Sequence, residues 1–148
     1  MTMLPDHASN VRAHALAHAT FIISGTAVEP DFWTEYFGVQ PDSTITQGKP
    51  YLYPSGKFSR HPGKLGFWAI ESAKAVRSDR LEPHLRYLTG ILKLPRDDLR
   101  DRIGQDGVKM SLWCYWYNET GDRVPDVPDD LREMMESLGG VIEIDEYR

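Results

Sequence analysis

The stretch Val108-Lys-Met-Ser-Leu-Trp-Cys-Tyr-Trp-Tyr117 alternates from end to end. One set of side chains is Val108, Met110, Leu112, Cys114 and Trp116; the other is Lys109, Ser111, Trp113, Tyr115 and Tyr117. A period of two marks a β-strand, because successive side chains leave opposite faces of the pleat. The first set is apolar throughout and belongs against a core. The second begins polar and ends aromatic. Such a strand sits in a sheet with helices on one face. On the other face, Trp113, Tyr115 and Tyr117 are either covered by another part of the chain or open to a partner.

Working outward, Ala17-His-Ala-Thr-Phe-Ile-Ile-Ser24 alternates in the same way, with Ala17, Ala19, Phe21 and Ile23 together. Leu65 to Ser72 reads as a further strand, Ser43 to Gln47 as a short one, and Val141 to Tyr147 as the last. Between them lie segments at helical spacing. Pro30 opens one that carries Phe32, Trp33, Tyr36 and Phe37, and Gly38 stops it. Leu81 to Leu94 repeats Leu81, Leu85, Leu88 and Leu92, accepts Pro83 in its first turn and stops at Pro95. A shorter helix buries Leu99 and Ile103, with Gly104 as its cap. Asp129 to Leu138 buries Leu131, Met134, Met135 and Leu138, and two aspartates complement the dipole of its first turn. The order β-α-β-β-α-(α)-β-α-β predicts an α+β fold. It is a single sheet with helices mainly on one face, a ferredoxin-like βαββαβ unit with an added αβ unit. Residues 1–16 carry no pattern and read as a loose N-terminal arm; residues 17–148 form one domain.

The chain has 148 residues and a formal charge of −5. That net value argues against nucleic acid as the main partner, which selects a basic domain or stripe. The charge is unevenly spread. From Ser43 to Arg80 there are seven bases and two acids, and no acid lies between Ile45 and Gly66. From Asn118 to Arg148 there are ten acids and three bases. These regions either meet and cancel or present separate surfaces. No apolar run approaches the ~20 residues of a bilayer span, and the first ten residues lack the pattern of a secretory signal. With one cysteine and therefore no intrachain disulfide, the chain is expected in the cytoplasm.

Motifs for chemistry are missing. Cys114 lies on the apolar side of its strand and reads as a core residue, not a nucleophile. His14 and His18 are four apart, but His18 belongs to a strand and His-Glu-x-x-His does not occur, so no metal or cofactor is expected. No nucleophile elbow and no P-loop is present. His84 reads as a partly exposed helix residue. Two regions remain as candidates. Lys49, Lys57, Arg60 and Lys64 alternate with Tyr51, Tyr53 and Phe58. They suit either an anion or RNA contact or a solvated hairpin loop that blunts an edge. Glu143 and Asp145 share one face of the last strand with Tyr147, and they suit either steering of a basic partner or plain solubility.

Several short motifs, in order, resemble a known family. They are Phe21-Ile-Ile-Ser-Gly25, Tyr36-Phe-Gly-Val-Gln-Pro41, Gln47-Gly-Lys49, Gly66-Phe-Trp68 and Leu138-Gly-Gly-Val-Ile-Glu-Ile-Asp145 followed by Tyr147. Together they resemble the bacterial domain of unknown function 4279 family, over roughly Ala17 to Tyr147. The resemblance implies no reaction and carries over no catalytic residue. It implies immunity-like roles beside bacterial toxins for some relatives. The leading expectation is a non-catalytic interaction protein, an immunity protein that neutralises a toxin with a basic surface by direct binding. Trp113, Tyr115, Tyr117, Glu143 and Asp145 would make the contact. The alternative is a small-ligand or anion-binding domain using Lys49, Lys57, Arg60 and Lys64. A third is an enzyme in which Arg60, His61 or His84 meets a carboxylate. An edge strand or the aromatic face also offers a route to a homo-oligomer.

Overall fold

The computed structural model describes residues 16–53 and 55–148, so the arm expected over residues 1–16 lies, except for Leu16, outside the described residues. The elements run β1 (Ala17–Gly25), α1 (Pro30–Phe37), β2 (Ser43–Ile45), β3 (Gly66–Glu71), α2 (Leu81–Ile91), α3 (Leu99–Asp106), β4 (Lys109–Tyr117), α4 (Asp129–Ser137) and β5 (Val141–Tyr147). This is the expected order. The class is α+β, built on one five-stranded sheet in the order β2-β3-β1-β4-β5.

Strand directions explain the interleaving. β1 and β2 both run antiparallel to β3, and β3 and β4 both run antiparallel to β1. Each of the first two crossovers therefore joins parallel strands with one antiparallel strand between them. The third crossover, through α4, places β5 directly beside β4 in parallel. The added αβ unit so extends the sheet by one strand and makes β5 its outer edge.

The alternation of β1 sorts the two faces. Ala17, Ala19, Phe21 and Ile23 are fully buried, and the register sets them beside Trp116, Cys114, Leu112 and Met110 of β4. Trp33 and Phe37 of α1, the four leucines of the α2 segment, Leu99 and Ile103 of α3, and Leu131 and Met135 of α4 join the same cluster. The helices thus cover one face. A fully buried leucine contributes about 2 kcal/mol of transfer free energy, which makes the four-leucine stripe the largest single block of that layer. Gly66 lets β3 pass the loop before α1, because a Cβ there would lie 2.1 Å from the Val28 carbonyl oxygen.

Two boundaries differ from the sequence reading. The helix α2 ends at Ile91, three residues early, since Lys93 turns into the left-handed region at φ 54°. Gly104 is interior to α3. The cap is Gly107, at φ 63°, whose N–H reaches the Ile103 carbonyl. Both positions are glycine, so only the backbone path distinguishes them. Among the described residues no helix is long and apolar enough to cross a membrane.

Candidate functional site

The second face of the sheet carries His18, Thr20, Ile22 and Ser24 of β1, each partly exposed. The register brings Trp113 opposite Thr20 on one side and Glu143 on the other, and Tyr115 between His18 and Asp145. Tyr117 pairs with Tyr147. The five residues expected to meet a partner, Trp113, Tyr115, Tyr117, Glu143 and Asp145, therefore lie on one face of two neighbouring strands. The rings interact. His18 stacks on Tyr115 with centroids 4.6 Å apart and planes 4° from parallel, and Tyr115 lies 5.1 Å from Tyr147. The sequence reading missed His18, although its alternation with Ala17 and Ala19 already assigns it to this face.

The acids beside the aromatic row are partly satisfied. Glu143 pairs with Lys109 at 3.2 Å. Asp145 accepts a 2.6 Å hydrogen bond from the Tyr147 hydroxyl, and that bond holds the phenol above its ordinary pKa. An exposed pair of the first kind contributes little, about 0.5 kcal/mol.

The basic excursion does not fold over these aromatics. It forms a short arm at the diagonally opposite corner, beside β2 and the C-terminal end of β1. Its base is pinned by Gly48 N–H to the Gly63 carbonyl and Gly63 N–H to the Lys49 carbonyl. The close approach needs a glycine, because a Cβ on Gly63 would lie 2.3 Å from Ile45. Further out, Ser59 N–H donates to the Tyr51 carbonyl, and the buried Ser59 hydroxyl accepts from Tyr51 N–H and donates to the His61 carbonyl. Between arm and sheet lies an open cavity of about 730 Å³. Ile45, Phe67, Tyr51 and Phe58 form its apolar walls, and Arg60, His61 and Lys64 supply its polar groups. Lys49 and Lys57 do not line it. The four-cation set expected from sequence, exposed throughout, therefore divides into two residues that line the cavity and two that do not.

Residues 14–148 match the sequence profile of the family described as Domain of unknown function (DUF4279). The chain belongs to that family. No curated protein and no solved structure matches it. Among the described residues, the basic and acidic regions meet at one point, where Arg80, the last base of the Ser43–Arg80 stretch, pairs with Asp126 at 3.4 Å, whereas the cations of the arm itself, Lys49, Lys57, Arg60 and Lys64, have no ion pair. Beside it, Arg86 of α2 holds Asp130 through two hydrogen bonds.

Two further residues weighed from the sequence, His84 and Cys114, lie in the core. His84 is fully buried, not partly exposed as expected. The Ser78 carbonyl can only accept, so Nε2 carries the proton in that 2.9 Å bond, and Nδ1 accepts from the Ser72 hydroxyl at 2.7 Å. Ser72 Oγ also accepts from Ala19 N–H. The group ties the loop before α2 to β1, and solvent does not reach the hydroxyl. Cys114 is buried on the helix side, and desolvation pushes its thiol up to about 12. Among the described residues lining the cavity there is no carboxylate, so Arg60 and His61 do not meet one there.

Proposed function

We propose that this protein is a non-catalytic binding domain that docks a protein partner on its open sheet face, and that it serves in the bacterial cytoplasm as an immunity protein occluding a toxin. The observation that carries the reading is the row of Trp113, His18, Tyr115 and Tyr147, large rings stacked or tilted against one another on a face no helix covers. Tryptophan and tyrosine supply most energetic centres of protein interfaces, because they bury much area for few lost rotamers. A basic partner suits the charge. Glu119, Asp129, Glu133 and Glu136 have no ion-pair partner among the described residues, and they add to the field of the acidic end.

Co-expression with the product of each gene encoded beside it tests this. One neighbour forms a stable complex and loses its toxicity. Replacing both Trp113 and Tyr115 by alanine weakens that complex at least about thirtyfold, as loss of an interface centre does. A set of neighbours that gives neither a complex nor growth rescue sinks the proposal.

A further inference from the structure

We propose that the cavity between the arm and the sheet is a binding site for an aromatic organic anion, a flat apolar body carrying one carboxylate or phosphate. The inference rests on the cavity alone and is independent of the docking face at the other corner of the sheet.

The volume of about 730 Å³ falls within the range of small-molecule sites, which are mostly apolar with a few placed polar groups. Here the apolar part is aromatic. Tyr51, Phe58 and Phe67 contribute rings on which a planar body stacks. Phe58 is 70% exposed, an unusual state for a phenylalanine on a segment whose backbone is tied by cross-arm hydrogen bonds. A ligand against it would cover surface that the fold leaves bare.

The polar part is cationic. Arg60 and Lys64 both line the cavity, and among the described residues neither has an ion-pair partner. Chain chemistry keeps it so, because residues 46–65 contain no acid. The arginine fork fits carboxylate or phosphate oxygens in a bidentate manner, and a lysine adds a point charge. Lysines needed only for solubility would have no reason to share an apolar hollow with a guanidinium. The arm is held at its base and at Ser59 before anything binds, which lowers the ordering cost of association.

The test is a titration of the full chain, followed by amide chemical shifts, with four probes: 1-naphthoate, 1-naphthyl phosphate, neutral 1-naphthamide and inorganic phosphate. Expected is saturable binding of at least one aromatic anion, with shifts centred on Ser59 to Phe67. The neutral amide and inorganic phosphate each bind about tenfold or more weakly, the cost of one charge-assisted contact or of the stacking body. Whichever aromatic anion binds tighter identifies the head group. The double change Arg60→Gln with Lys64→Gln reduces affinity to that of the amide, and Phe58→Ala, which removes one of several rings, weakens the aromatic anions severalfold and leaves inorganic phosphate unaffected, while the unfolding midpoint stays unchanged. Equal affinity for the amide and the anions overturns the proposal. So does saturation by inorganic phosphate alone, or shifts centred on Trp113 and Tyr115.

Discussion

Cys114 shows how far one side chain's surroundings decide its chemistry. The sequence places it between Leu112 and Trp116 on the packed face, and the structure finds it with no exposed surface. The thiol is held protonated by burial up to about 12, whereas in an unfolded chain it ionises near 8.5. The folded pKa is the higher one. The associated stability is therefore complete below about pH 8.5 and is lost as pH rises from there toward the folded value, by at most about 1.4 kcal/mol per pH unit. Cys114→Ala removes this dependence. The stability difference between wild type and variant should shrink by roughly 2 kcal/mol between about pH 8 and pH 10. Urea unfolding at the two pH values measures it, and a constant difference would show that the thiol does not sense the core. His84 is the opposite case. Its leucine-flanked helical position was visible, but the Ser72 hydroxyl and Ser78 carbonyl that satisfy it come from a loop of no regular pattern.

At the scale of elements, periodicity was a sound guide where one face meets a core. The strands β1 and β4 and the leucine stripe of α2 follow from apolar spacing alone, since burial imposes that spacing. Ends and connections were less legible, because they depend on partners remote in the chain. The α2 N-terminus has no side-chain cap from Arg80. Its first two amides donate instead to Asp126, Leu81 N–H to Oδ1 at 2.7 Å and Glu82 N–H to Oδ2 at 3.0 Å. The carboxylate comes from the connection before α4, and no local motif announces it. It does the work of an N-cap and adds charge at the positive end of the helix dipole. Asp126→Ala should cost about 1–2 kcal/mol, whereas Asp122→Ala, in the same connection but exposed and, among the described residues, bonded only to Thr120, should cost little. Chemical denaturation of both variants checks the contrast. Similar losses would mean that Asp126 acts only through surface charge.

For the whole molecule, the informative feature is the division of the open face. Its width from β2 to β5 is about 19 Å, four strand spacings. A basic, ring-lined cavity sits at one corner, and an aromatic row beside acids sits at the other. Composition showed both charge excesses but not that the arm's cations lie apart from the acids while Arg80 meets Asp126, because strand order is set by crossovers that local patterns do not encode. The sequence reading left open whether the arm would cover Trp113 and Tyr115. It does not, since the arm is anchored through Gly63 against Ile45 at the far edge. The acidic end also proved less free than its count suggested, with Asp126 and Asp130 committed to α2.

The same division distributes the four tryptophans unequally. Trp33, Trp68 and Trp116 are at most 2% exposed and pack on the helix side, while Trp113 alone stands half-buried on the open face. The protein thus carries a native optical reporter for one of its surfaces. Acrylamide should quench a minor, red-shifted part of the emission and leave the larger, blue-shifted part dark to the quencher, and Trp113→Phe should abolish the accessible part. A partner seated on the aromatic row would then protect that fraction, whereas an anion in the distant cavity would not.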